Sequence, residues 1–163
     1  MPELIFGHLL TGSNFDDDER KTTGGRNGYG AKLANVFSTR FVIECVDTEN
    51  QLFYKQVFQD NMSVINPPTV KKCTQAQKKK GDFVQVSFEP DLAKFGMTAM
   101  DSDTIALLSK RAYDIAATMG FCKGKPLKVH LNDTRLPVKS FKEYLKLYTN
   151  TSAPIGTIES VCL

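Results

Sequence analysis

Thr23-Gly24-Gly25-Arg26-Asn27-Gly28-Tyr29-Gly30-Ala31-Lys32 holds four glycines within seven positions, beside two cations. Glycine tolerates positive φ and lets another molecule approach the backbone, and it costs stability where neither is needed. A run this rich in glycine therefore reads as a backbone cradle for phosphate. The alternative is a flexible surface loop with a glycine-rich helix start. Downstream, Ala31-Lys32-Leu33-Ala34-Asn35-Val36-Phe37 is mostly helix-forming. Leu33, Val36 and Phe37 at i, i+3 and i+4 predict a helix with those three on one face. The glycines then feed a helix N-terminus, where amides without intrahelical partners and the positive dipole end both favour an anion. Lys32 falls in the first turn, an unfavourable place for a cation unless an anion is present. Two phosphate-loop patterns are excluded. G-x-x-x-x-G-K-[ST] fails because Ala31 precedes Lys32 and Leu33 follows it. G-x-G-x-x-G fails because the order is Gly25-x-x-Gly28-x-Gly30, with no apolar strand leading into it.

Working outward, the 163 residues suit one ordinary domain. A formal charge of +3 is too slight for a nucleic-acid footprint. Cys45, Cys73, Cys122 and Cys162 are scattered without a C-x-x-C pair, which speaks against a metal site and a disulfide framework and fits a reduced intracellular compartment. The first residues lack the basic region of a signal peptide, and no run approaches a membrane span.

Residues 3–11 read as a short apolar helix opened by Pro2. Such a helix needs burial, so the chain is expected to start inside a fold. Residues 12–22 read as loop, and Asp16-Asp17-Asp18 as a solvated acidic turn, because consecutive loop carboxylates seldom converge on one ion. The runs 40–46 and 52–58 are β-branched and aromatic and predict a hairpin; 67–70 opens a short strand and 83–88 forms another. Lys71, Lys72 and Lys78-Lys79-Lys80 between them read as a solvated hairpin tip, with contact to DNA phosphates as the other reading. A helix is predicted over 102–119, with Ile105, Leu108, Ala112, Ile115, Ala116 and Met119 inward, Asp101 or Ser102 as its cap and Gly120 as its end. Residues 127–131 alternate as a strand, Asn132-Asp133 turns, and 141–148 forms a last amphipathic helix. His8 and His130 stand alone and read as structural.

Leu4-Ile5-Phe6-Gly7-His8-Leu9-Leu10-Thr11-Gly12-Ser13-Asn14, the glycine run through Leu33, Phe37-Ser38-Thr39, Phe88-Glu89-Pro90-Asp91-Leu92, Arg111-Ala112-Tyr113-Asp114, Leu136-Pro137-Val138 and Tyr144 together resemble the nucleotide-binding part of eukaryotic type II DNA topoisomerases, across essentially all of 1–150. The resemblance implies a Bergerat (GHKL-type) ATPase fold: an α/β (α+β) two-layer sandwich with helices on one face of a mixed, mainly antiparallel sheet, incomplete at its N-terminus. Residues 1–148 would form the C-terminal part of that domain with the ATP lid at about 12–30, and 149–163 a linker or the start of a transducer domain. It further implies that Ser13 and Asn14 contact ribose or phosphate. Gly25 to Lys32 would wrap the triphosphate through the amides of Arg26, Asn27, Gly28, Tyr29, Gly30 and Ala31, and Lys32 would pair with its charge. The implied parent is an ATP-hydrolysing topoisomerase of the nucleus, a homodimer using ATP and Mg2+ to pass duplex DNA, with no membrane contact. Two departures stand out: Gly12 replaces a serine common in the family, and Ser87 replaces a threonine implied to help hold the adenine site. The general-base glutamate and Mg2+-binding asparagine are implied upstream of Met1, so no catalytic or metal residue is assigned and the isolated chain is expected to lack hydrolysis. The alternative expectation is a non-catalytic nucleotide-binding or dimerisation module.

Overall fold

The runs around Phe41 and Phe58 do form a hairpin. In the computed structural model, β1 (Ser38–Asp47) and β2 (Leu52–Gln59) pair antiparallel from Arg40 opposite Gln59 to Asp47 opposite Leu52. Asp47 fixes the turn, its carboxylate accepting from the Asn50 N–H at 2.9 Å and from Asn50 Nδ2 at 2.7 Å. The structure describes residues 1–12, 28–119, 121–122 and 125–149, in two units, Met1–Thr98 and Ala99–Leu163.

In the first unit β5 (Phe83–Pro90) adds to the far edge of β1, and the short β3 (Val64–Ile65) and β4 (Thr69–Lys72) pair with β2. Every described pairing in this sheet is antiparallel. Because side chains alternate along a strand, Phe41, Ile43 and Phe58 share one face and form its buried core, joined by Phe6 and Ala34. Those two residues come from helices α1 (Pro2–Gly7) and α2 (Gly30–Val36). The expected sandwich of helices on an antiparallel sheet is therefore present. Each fully buried Phe or Ile contributes about 1.5–3 kcal/mol.

Gly7 lets α1 lie on the sheet: a Cβ there would stand 2.9 Å from Phe58 Cε1. Beside it Glu3 Oε2 accepts from Gln56 Nε2 at 3.0 Å, and the buried Gln56 in turn accepts from the Tyr54 hydroxyl. Burial and the Glu3 charge push the Tyr54 hydroxyl up to about 12. Helix α1 stops at Gly7, with His8 extended, rather than running to residue 11. Leu4, Ile5, Leu9 and Leu10 are exposed in the chain, contrary to the expected burial, because the side of α1 carrying Gly7 and Phe6 is the one that meets the sheet. On β5, Phe88 stands opposite Phe41 and Ser87 opposite Val42. Ser87 thus lies on the sheet face away from Phe41 and the two helices.

The lysine cluster is not a hairpin tip. Residues 75–80 form α3 (Gln75–Lys80), opened by a capping box in which Thr74 Oγ1 accepts from the Gln77 N–H at 3.3 Å and Gln77 Oε1 accepts from the Thr74 N–H at 2.8 Å. The segment carries the chain from β4 to β5 around the β1–β2 turn. Lys78 Nζ donates to Gln51 Oε1 at 2.8 Å, and Asp82 Oδ1 accepts from the Thr48 N–H at 2.7 Å and its hydroxyl at 2.6 Å. A 3₁₀ turn, Leu92–Phe95, follows β5.

In the second unit α4 (Ser102–Thr118) begins at Asp101, whose Oδ1 accepts from the Thr104 N–H at 2.7 Å. Only part of its expected inward stripe is covered. Ala116 and Ala117 are buried against Leu136 and Val138, whereas Ile105, Leu108, Ile115 and Met119 are exposed in the chain. Gly120 lies outside the described residues. Two short ladders follow, β6 (Phe121–Cys122) with β7 (Lys125–Pro126) and β8 (His130–Leu131) with β9 (Thr134–Arg135). Asn132 and Asp133 make the second turn at φ 48° and 62°, a turn that favours these residue types. Helix α5 (Phe141–Leu145) is capped by Ser140 and is shorter than the expected 141–148. Asp114 ties α4 to α5, accepting from Lys110 Nζ at 2.8 and 2.9 Å and from the Tyr144 hydroxyl.

Candidate functional site

Helix α2 starts from Tyr29 with no side-chain cap. Its first bond runs from the Leu33 N–H to Tyr29 O at 2.8 Å, which leaves the amides of Gly30, Ala31 and Lys32 ahead of it. They border a cavity of about 320 Å³ walled by Gly28, Gly30, Ala31 and Lys32 on one side and by Ile5, Thr11 and Gly12 on the other. The helix is two turns long, so its dipole acts only close to this end.

Lys32 dominates the electrostatics. Its side chain reaches back from the first turn, as helical side chains do, and the residue is only 3% exposed. The ammonium donates to Thr11 Oγ1 at 2.5 Å and to Gly28 O at 3.0 Å. Burying an ammonium costs several kcal/mol, which neutral acceptors offset only in part. Among the described residues both partners of the ammonium are neutral. Gly28 has φ +65°, and a Cβ there would stand 3.3 Å from the Gly12 N, so glycine is required by conformation and by space. At Gly30 a Cβ would meet nothing within 4 Å. Packing among the described residues gives Gly30 no reason to be glycine.

The inner face of α2 differs from the expected one. Lys32, Asn35 and Ser38 are buried while Leu33 and Phe37 are exposed. Helix ends leave carbonyls unpaired, and here polar side chains take them. Asn35 Nδ2 donates to Phe6 O at 3.1 Å, and Asn61 Nδ2 donates to Val36 O at 3.0 Å. The Thr11 hydroxyl lies 3.3 Å from Leu4 O. Asn35 is fully buried, and its Oδ1 has no partner among the described residues. An apolar residue at position 35 would have left the Phe6 carbonyl without this donor.

Of the residues assigned from sequence, Gly28, Tyr29, Gly30, Ala31 and Lys32 are placed, all but Tyr29 on the cavity. Ser13, Asn14, Gly25, Arg26 and Asn27 lie outside the described residues. Sequence reasoning missed Ile5 and Thr11 as cavity walls. The one signal for Thr11 is indirect: a buried lysine needs oxygen acceptors. Among the described residues no carboxylate lines the cavity, and no group of three or more His, Cys, Asp or Glu converges as a metal site requires. His8 is exposed, with Nε2 3.4 Å from Glu3 Oε1.

No protein-family model matches the chain. It is similar to DNA topoisomerase 2 of Arabidopsis thaliana, 51% identical over 152 residues that cover 93% of this chain and 10% of that protein. It is likewise 51% identical over 148 residues to DNA topoisomerase 2-alpha of Gallus gallus, covering 91% of this chain and 9% of that protein. The chain thus spans about a tenth of the length of the curated relatives it matches. Among solved structures, the ATPase region of Saccharomyces cerevisiae topoisomerase II aligns with a TM-score of 0.77 and 45% identity, covering 91% of this chain and 37% of that one. The ATPase and transducer domains of DNA topoisomerase II from Balamuthia mandrillaris align with the same score and identity, over 90% of this chain and 36% of that one.

Proposed function

We propose that the chain belongs to the type II DNA topoisomerase family, within its ATPase region, and that its glycine segment and Lys32 hold the triphosphate of ATP. The observation that carries this reading is Lys32, a lysine only 3% exposed, at the wall of a cavity bordered by Gly28 and Gly30. Preorganised donors aimed at a charged group need no reorganisation when it arrives, which makes them effective. Lys32 gives the positive charge, Gly28 gives the left-handed bend that turns the backbone toward Gly12, and Gly30 leaves the backbone open to an oxygen. The nucleotide supplies a negative charge, which none of the described residues lining the cavity provides. Ser13, Asn14 and the amides of Gly25, Arg26 and Asn27 complete the contacts in this reading.

In the complete enzyme, ATP with Mg2+ closes a homodimer on duplex DNA in the nucleus, and hydrolysis resets it. In this reading the 163-residue chain by itself binds nucleotide without turning it over. A fluorescence titration of the chain with mono-, di- and triphosphate forms of a labelled adenosine nucleotide tests this. Affinity rising with each phosphate supports it; equal affinity for all three, or none, contradicts it.

A further inference from the structure

We propose that Thr11 is a positioning residue for the phosphate site, its hydroxyl holding the Lys32 ammonium at the cavity wall. The proposal rests on the nucleotide reading above and extends it to a residue outside the glycine segment.

A lysine ammonium has three donors and no acceptor. Among the described residues Lys32 gives two of them, to Thr11 Oγ1 at 2.5 Å and Gly28 O at 3.0 Å. The Thr11 hydroxyl is itself oriented from the other side, by Leu4 O at 3.3 Å, with His8 O at 3.5 Å as the alternative acceptor. Its hydrogen therefore points at the Leu4 or His8 carbonyl and its lone pairs face the ammonium. Leu4 belongs to the helix that Gly7 and Phe6 seat on the sheet, so the position of Lys32 Nζ is referred through one hydroxyl to the core. The third Nζ donor is then confined in direction by the first two, and Thr11, Gly28 and Lys32 all border the same cavity. A flexible four-carbon stem carrying a point charge would otherwise sample many positions.

The test uses the 163-residue chain with Thr11→Val, which removes the hydroxyl at constant shape, and Thr11→Ser, which keeps it. Residue-resolved acylation of lysines, read by mass spectrometry, reports whether the ammonium is held. The Lys32 rate is expected to rise about tenfold in Thr11→Val, the equivalent of one hydrogen bond to a charged group, and to stay at the wild-type value in Thr11→Ser. An unchanged Lys32 rate in a folded Thr11→Val chain overturns the proposal. Titration with a non-hydrolysable ATP analogue separates positioning from mere folding. Thr11→Val should weaken binding about tenfold when Lys32 is present and leave it unaltered in a Lys32→Met background. An equal loss in both backgrounds means that Thr11 acts independently of Lys32, and it too overturns the proposal. Absence of binding by the wild-type chain would instead remove the nucleotide reading, while the acylation rates still decide whether Thr11 holds Lys32.

Discussion

At the scale of single residues, glycine does two different things in this site. Gly28 sits at φ +65° against Gly12, so any side chain there is strained. Gly30 has open space where a Cβ would go and a φ outside the left-handed region. Gly30→Ala should leave stability unchanged or raise it by about 0.4–1 kcal/mol through the unfolded chain, yet weaken analogue binding. Thermal melting alongside a titration checks both halves, and a variant that binds as well as wild type would contradict a ligand at Gly30. The glycines and Lys32 were legible in the sequence because their composition is costly unless the backbone itself is used. Thr11 was not, because its task depends on a residue 21 positions away. The inner face of α2 was misread for a similar reason: the carbonyl that Asn35 satisfies belongs to Phe6 in α1, 29 positions away, whose placement no local pattern encodes.

Among elements, the β1–β2 hairpin and α4 were plain from period and turn chemistry, whereas α3 was hidden because a lysine-rich helix without an apolar stripe has no period to find. Its Thr74-x-x-Gln77 capping box was the available signal. The seating of α1 turns on Gly7. Gly7→Ala pushes a methyl to within 2.9 Å of the buried Phe58 ring and should cost about 1–3 kcal/mol by overpacking, read as a lower urea midpoint at unchanged slope. Equal stability would mean that α1 is not held against Phe58. The α4–α5 junction has a pH signature. Hydrogen bonds from Lys110, then from Tyr144, hold the Asp114 carboxyl below its ordinary 3.8. A group whose folded value is depressed stabilises above the unfolded value and loses that contribution as pH falls through the folded one, so the junction should weaken below about pH 4. The same Asp114 bond raises the Tyr144 hydroxyl to about 12. That contribution is complete below the ordinary tyrosine value of 10.0 and fades as pH rises towards 12. Tyrosine circular dichroism against pH should show both limbs in the wild type and a flattened acid limb in Asp114→Asn. Identical acid limbs would contradict the role of Asp114.

For the whole molecule, the family resemblance carried by the flanks of the glycine run agrees with relatives of about half identity and with solved ATPase regions of the same fold. The chain's division into two units was not legible, because that boundary reflects which contacts form between distant residues rather than a linker composition. No helix among the described residues is long and apolar enough to cross a membrane. Phosphate release from ATP by the purified chain should equal that of its Lys32→Met variant. Robust turnover that the substitution abolishes would contradict this expectation. The central claim is that a buried lysine and an open glycine backbone make a triphosphate site within these 163 residues. Its most direct test is calorimetric titration of the wild-type chain and of folded Lys32→Met with a non-hydrolysable ATP analogue. Saturable one-site binding by the wild type, lost in the variant, is the predicted result; no saturable heat from the wild type, or equal binding by both, would contradict it.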